Sequence, residues 1–384
     1  MDKILLVSWG VYPMPTGSSI IVNNLASSFT KDQMIIVGEQ DLSRSNIGWP
    51  DDNPEIRYIN PNINIKGRGQ THLRWFNIFK VINHIYQVAK TEKVTKVLCI
   101  FPDDFYLFAC YIATKRLNLP LYTWFHNTYL DNFEGYRKLF AFWFQPLIFK
   151  FSKKVFVMSD GMLRFYKNKY QDFDFETLVH GFPLPQISNV EYEAAKHYPN
   201  KVKFLFTGSL NESCRDASVR LMKVILENSN YEVHVYSGNP KSFFENFGLN
   251  GSNFIYHGFI HLEKLYEKLS SFDVMLLPHG FLGERSDIEF KTIFPTRTIP
   301  LLISGKPILA HTPKGVFLTE FLEENDCAFI VDVPIESLII SKINQIIENP
   351  DEVKLKVKNA FITSKKFDIE MVCSQLKNAM NFKN

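Results

Sequence analysis

The stretch FPTRTIPLLISGKPIL at 294–309 gathers residue types that can hold a phosphate. An apolar strand at 273–278 leads towards it across a polar loop. Pro295, Thr296 and Arg297 then open a short helix that stops at Gly305, and Pro307 starts the next apolar segment. Proline near a first turn and glycine just past a last turn are helix start and stop signals. The first turn carries unpaired backbone N–H groups and the positive end of the helix dipole, with Arg297 beside them. That combination suits a phosphate or diphosphate. Gly17 and Ser18 open another helix after a proline-rich loop, where backbone N–H groups could hold a phosphate or form a plain turn. Arg215, after Gly208 and Ser209, either meets an anion or is a solvated residue at a helix start. His126 is the most informative titratable group. Flanked by Phe125 and Asn127 after an apolar strand, it could donate to a hydroxyl or a developing charge, or simply bond within its loop.

These groups share a position: each follows a strand. In open parallel sheets, ligands bind beyond the carboxyl ends of the strands. In the first half the strand ends lead to Gly17-Ser18, Asp103-Asp104, His126-Asn127, Ser159-Asp160 and His180-Gly181. In the second half they lead to Gly208-Ser209 with Arg215, Ser237-Gly238, His257-Gly258 and His279-Gly280. Two such rims facing each other would make one site.

The elements that must position them alternate, short apolar strands with longer amphipathic segments, which predicts parallel α/β sheets. Strands are expected at 4–8, 34–38, 56–59, 96–100, 121–124, 154–158 and 177–180. Residues 44–70 read as a long polar loop around the third of these. A break rich in Pro, Asn, Glu and Lys spans 183–200. The pattern then restarts with strands at 202–206, 233–236, 254–256, 274–277, 308–311 and 328–331, and helices at 217–227 and 262–270. Two last helices are expected at 351–363 and 368–380.

Composition agrees with this architecture. The chain has 384 residues, room for two domains, with 46% hydrophobic and 22% charged residues, as in globular proteins. A net charge of +3 is too mild to imply nucleic acid. Five widely spaced cysteines form no C-x-x-C pair, which suits a reducing compartment. The first apolar run, 4–9, is short and followed by proline, so it reads as a strand and not a targeting signal. No run reaches the ~18–20 apolar residues of a membrane span. Aromatic content is high at 15%, with 35 Phe. The segment 139–154 concentrates it, with Arg137, Lys138, Lys150, Lys153 and Lys154 around it. It is either a buried helix or a surface that docks on anionic lipid.

The order strand–loop–PTR–helix–GKP resembles the C-terminal donor-site signature of GT-B glycosyltransferases, retaining family 4 in particular, "P-(S/T)-K-x-x-E-Y-L-x-x-G-K-P". YPMPTGS at 12–18, with Leu25-Ala26 downstream, resembles that family's strand–"P-P-x-x-G-G"–helix start. Gly208-Ser209-Leu210 with Arg215 resembles "G-R-L-x-x-x-x-K-G", Ser209 standing at the Arg position and Arg215 at the Lys position. His126 matches the family's "strand-x-H", and Tyr256 to Phe259 its strand–Gly element. The family's paired glutamates fall on Thr292 and Pro300. Glu284, Asp287 and Glu289 nearby either substitute or form a solvated acidic loop. A nicotinamide oxidoreductase does not fit, since no G-x-G-x-x-G follows the first strand.

The resemblance implies a GT-B α/β fold: two Rossmann-like, doubly wound domains facing across a cleft. It places an acceptor domain at 1–185, a linker at 186–200 and a nucleotide-sugar domain at 201–365. A terminal helix at 366–384 would return to the first domain. It implies a glycosyltransferase moving sugar from a nucleotide-diphosphate-sugar to a glycan or lipid-linked acceptor, as in cell-surface polysaccharide or glycoconjugate synthesis. The reaction would be retaining, without metal or resident cofactor and without a nucleic-acid partner. From the cysteines the expected localisation is cytoplasmic, with peripheral contact at the inner face of the membrane if segment 139–154 is a surface and not a buried helix. Gly17, Ser18, Gly208, Ser209, Arg215, Gly258, Phe259, Pro295, Thr296 and Arg297 would bind donor. Asp103, Asp104 and Asn127 would bind acceptor, and His126 would be catalytic. A nucleotide-sugar epimerase of this fold, or a non-catalytic GT-B binding protein, are the alternatives.

Overall fold

A computed structural model describes residues 2–14, 16–40, 49–59, 73–184, 201–281 and 287–383. The chain divides into two compact units, Met1–Pro183 with Phe367–Asn384, and Leu184–Lys366. The expected linker at 186–200, most of the loop at 44–70, and Glu284 lie outside the described residues.

Unit one runs β1 (Ile4–Val7), α1 (Gly17–Ala26), β2 (Met34–Glu39), β3 (Ile56–Ile59), α2 (Ile78–Thr91), β4 (Lys96–Phe101) and α3 (Asp104–Leu117). It continues with β5 (Leu121–Phe125), α4 (Gly135–Phe151), β6 (Lys154–Val157), α5 (Asp160–Lys169) and β7 (Phe175–Thr177). Its seven strands pair in parallel in the order β3-β2-β1-β4-β5-β6-β7. Strands covered on both faces read as continuous apolar runs, as β1 (ILLV) and β5 (LYTWF) do. A short helical turn, Leu73–Asn77, precedes α2.

β7 ends earlier than the pattern predicts, at Thr177 and not at residue 180. The Leu178 N–H still donates to the Val157 carbonyl of β6 at 2.9 Å, but the Leu178 carbonyl turns to accept a 3.0 Å hydrogen bond from the Trp124 indole N–H.

The last helix, α14 (Ile369–Ala379, numbered in chain order), belongs to unit one. Val372, Cys373, Leu376 and Met380 join Ile4, Leu6, Val22, Leu25 and Phe29 in one buried cluster. Gln375 donates to the Glu176 carboxylate at 2.9 Å and to the Thr177 carbonyl at 2.8 Å.

Unit two runs β8 (Val202–Thr207), α6 (Arg215–Leu226), β9 (Tyr231–Tyr236), α7 (Lys241–Glu245), β10 (Phe254–Gly258), α8 (Leu262–Leu269) and β11 (Val274–Pro278). Then come α9 (Asp287–Thr292), α10 (Thr298–Ile303), β12 (Ile308–His311), α11 (Phe317–Glu324), β13 (Phe329–Val331), α12 (Glu336–Glu348) and α13 (Pro350–Ser364). Its six parallel strands are ordered β10-β9-β8-β11-β12-β13. The core packs Phe204, Phe206, Leu221, Ile225, Val233, Val235 and Leu276 with Ile339 and Ile343 of α12.

α10 begins at Thr298, three residues later than Pro295 suggests. Pro295, Thr296 and Arg297 form a turn whose Pro295 carbonyl accepts the Thr298 N–H at 2.9 Å. Pro300 is tolerated because it falls in the first helical turn, where its N–H is not needed. In each sheet the strand order reverses beside the first strand, between β1 and β4 and between β8 and β11. Loops diverge at such points and leave a crevice at the carboxyl ends.

Candidate functional site

In unit two the switch point is lined by the β8–α6 loop. Gly208 sits there with φ +92, a conformation that favours glycine, and a Cβ at this residue would lie 3.4 Å from the Arg297 guanidinium carbon. Arg297 therefore crosses directly over the loop. Its Nη2 donates to the Ser209 carbonyl at 2.7 Å, and its guanidinium lies 5.1 Å from the centre of the Phe206 ring. Nη1 is buried without a hydrogen-bond partner among the described residues, as is the hydroxyl of Thr298 beside it. A buried N–H of a cation without an acceptor is costly, and a ligand oxygen would satisfy it.

Other groups fix this loop. The Leu210 N–H donates to Asn239 Oδ1 at 2.8 Å. Asp216, in the first turn of α6, accepts the Phe281 N–H at 3.0 Å. Gly280 lets the two approach closely, since a Cβ there would stand 2.5 Å from Asp216 Oδ1 and force a shift. Arg220 pairs with Asp216 at 3.5 Å and meets His311 Nε2 at 2.9 Å, while His311 Nδ1 donates to the Val331 carbonyl. This chain ties the start of α6 to β12 and β13.

His279, after β11, donates from Nε2 to the Phe290 carbonyl at 2.9 Å and stacks on the Phe290 ring. Its Nδ1 is thus the unprotonated nitrogen, buried and without a partner among the described residues. Burial pushes its pKa down to about 4, so the ring is neutral at pH 7.

In unit one, β1, β4 and β5 are neighbours, and the residues after each reach the same edge of the sheet. His126 follows β5, and its N–H donates to the Phe101 carbonyl at 3.2 Å. The ring is buried between Trp124, at 4.6 Å between centroids, and His180, at 4.8 Å. Neither ring nitrogen of His126, nor His180 Nε2, has a hydrogen-bond partner among the described residues. Burial, then the neighbouring His180, holds His126 well below its usual pKa, and burial takes His180 down to about 3. The pair is neutral at pH 7, able to accept and to donate at once.

The structure brings some of the predicted residues together and leaves others apart. Gly208, Ser209 and Arg297 meet directly, and Pro295 and Thr296 form the turn that delivers Arg297. Arg215 opens α6 with its guanidinium 5.8 Å from the Phe247 ring centre. Gly258 ends the edge strand β10, two strands from β8, and Phe259 follows it. In unit one, Gly17 and Ser18 lie in the first turn of α1, whose Thr16–Ser19 capping box already uses the Ser19 N–H.

Asp103 and Asp104 are engaged within the unit. Asp103 caps α3 and forms a two-pronged pair with Arg74, both contacts 2.8 Å. Buried Asp104 meets Arg137 at 3.1 Å. Burial, then the Asp103 charge, raises the Asp104 pKa. Asn127 is half-buried next to His126. Asp287 and Glu289 lie on α9, and Thr292 donates to the Ile288 carbonyl.

Arg74, Asn239 and the roles of Arg137, His180 and His279 escape sequence reasoning, since most of their partners are distant in the chain. Among the described residues, no group of three or more His, Cys, Asp or Glu is placed to hold a metal ion. The five cysteines are free and buried.

No protein-family model and no curated protein matches this sequence. Solved structures match over nearly its whole length. Sucrose-phosphate synthase from Thermosynechococcus elongatus superposes with a TM-score of 0.73 at 12% identity, covering 99% of this chain and 98% of that one. HepE from Anabaena, solved in complex with UDP and glucose, gives 0.69 at 14% identity, covering 99% and 100%. A glycosyltransferase from Rickettsia africae gives 0.65 at 16% identity, covering 100% and 99%. The fold is therefore GT-B, built from two Rossmann-like units.

Proposed function

We propose that this protein is a glycosyltransferase that takes a sugar from a nucleotide-diphosphate-sugar held by unit two. The observation that carries the reading is the Arg297 guanidinium, fixed over Gly208 with Nη1 buried and without a partner among the described residues. A diphosphate oxygen supplies the acceptor that this N–H lacks, and the cation meets charge as the leaving group forms. The structural neighbour HepE, solved with UDP and glucose, makes a uridine donor the first to try. Arg215 is the second cation assigned to the diphosphate.

In the retaining, metal-independent form of the reaction, the bond from sugar carbon to diphosphate oxygen breaks while an acceptor hydroxyl attacks from the same face. The hydroxyl proton passes to the departing phosphate oxygen, so no carboxylate nucleophile takes part. His126 is assigned to a sugar hydroxyl, and the acceptor to a glycan or lipid-linked hydroxyl.

The test is a melting panel of UDP, GDP, dTDP and CMP on the wild type, Arg215→Ala and Arg297→Ala. A nucleoside diphosphate at about 100 times its Kd stabilises the unit that binds it by ~2.7 kcal/mol, a shift of several degrees. Both substitutions should abolish that shift. A shift that survives both, or stabilisation by CMP alone, removes the diphosphate site. Nucleotide-sugars incubated alone and with acceptors then separate transfer from isomerisation, and product in neither arm leaves a binding protein.

A further inference from the structure

We infer that the outward face of α4, together with the turn before α2 and the start of that helix, is a docking surface for an anionic lipid bilayer. α4 divides its aromatic sequence between two faces. Ala141, Phe144, Gln145, Ile148 and Phe149 are buried. Tyr136, Leu139, Phe142, Trp143 and Leu147 stand out, Trp143 with 72% of its surface exposed. Positions 136, 139, 143 and 147 recur every three or four residues, so they form one stripe along the helix. Trp75 packs on Phe140 of α4 at 5.4 Å and on Phe108 of α3 at 5.7 Å. That contact sets the segment carrying Phe76 and Phe79, both exposed, alongside α4. Fourteen large apolar side chains are exposed among the described residues, and seven lie in these two segments. Such concentration marks an interaction surface, where scattered single residues would need no explanation.

Charge selects the partner. Neither α2 nor α4 contains a carboxylate, while Lys80, Lys138 and Lys150 are exposed on them. Aromatic rings fringed by ammonium groups fit the headgroup level of an anionic bilayer, rings at the acyl boundary and lysines on phosphates. A second copy of the chain docked symmetrically would press one lysine-bearing face without carboxylates against another, which is repulsive. Among the described residues, no helix is long and apolar enough to cross a membrane, so the contact is at the surface. This surface is independent of the donor site in unit two.

The full chain is mixed with vesicles of phosphatidylcholine alone or with phosphatidylglycerol added. The wild type should sediment with the phosphatidylglycerol vesicles at low salt and leave them as salt rises. Brominated acyl chains should quench its tryptophan fluorescence. Trp143→Phe should keep sedimentation and lose most of that quenching. Leu139→Glu with Trp143→Glu should lower partition about tenfold or more. Should that pair fail to fold, Lys138→Glu with Lys150→Glu serves instead, with the same expected loss. Wild type left in the supernatant, equal binding to both vesicles, or charge-reversed variants that sediment normally would overturn the inference. So would a lipid-free dimer that Trp143→Glu dissociates.

Discussion

His126 and His180 are two imidazoles in contact, both neutral, with three ring nitrogens that have no partner among the described residues. A histidine kept for the fold is normally bonded within it, since a buried polar atom without a partner is costly. His126 contributes packing but no side-chain hydrogen bond to the fold. His126→Ala should therefore lower the melting temperature only modestly, while transfer per folded molecule falls about 10²-fold, the usual size for a lost polar catalytic contact. The check is to measure initial rates on protein shown to be folded at the assay temperature. Unchanged turnover with early unfolding would make the imidazole structural. His279 differs: its Nε2 is already spent on the Phe290 carbonyl, which leaves only an acceptor nitrogen.

At the scale of elements, α14 is the clearest dependence. Leu376 is fully buried among residues of β1, α1 and β2. Leu376→Ala should destabilise unit one by ~2–5 kcal/mol, the range for a buried leucine truncated to a cavity. Calorimetry should show one transition moved down while that of unit two stays in place. Two transitions shifting together would mean the units unfold as one.

Much of this architecture was legible in the sequence. β12 appears with the boundaries its apolar run predicts, and β1, β8 and β11 differ by a single residue at one end. Continuous apolar runs bounded by glycine and proline leave little freedom. α12, between β13 and α13, is not among the expected helices, although Ile339, Ile343 and Ile346 recur at helical spacing. The site was legible only in part. Gly208 and His126 directly follow β8 and β5, which topology makes informative, while Arg297 stands just before α10. The Arg74–Asp103 pair spans 29 residues and the Arg220–His311 contact 91, so no local pattern could reveal either. The segment 139–154 admitted two readings, buried helix or surface, and α4 has both a buried and an exposed face.

For the whole molecule, buried neutral histidines set the response to acid. His180 is held at about 3, and His279 and His311 at about 4, each chiefly by burial. A folded-state pKa below the unfolded value of about 6.5 means the unfolded chain binds protons first as pH falls. Stability is then full above about pH 6.5 and declines on acidification towards the folded values. Between pH 7 and 5 each such histidine removes roughly 2 kcal/mol. Asp2, lowered to about 2 by hydrogen bonds and the Lys96 charge against a raising effect of burial, loses its contribution only below about pH 4. Both units hold such histidines, so both thermal transitions should fall between pH 7 and 5. His279→Gln should flatten the slope for unit two alone. A melting profile level across that window would show the rings open to solvent and free to charge.

The packing of α14 also fixes an order of events during synthesis. The strands of unit one are made before those of unit two, yet its apolar cluster closes only with Val372, Leu376 and Met380. At about 5–20 residues per second, the ribosome takes roughly 10–40 s to pass from residue 183 to the end of α14. Through that interval the nascent first sheet waits with part of its apolar face uncovered, while the whole of unit two is completed. The half translated second is the first able to fold, and the earlier half is the one a chaperone has reason to hold.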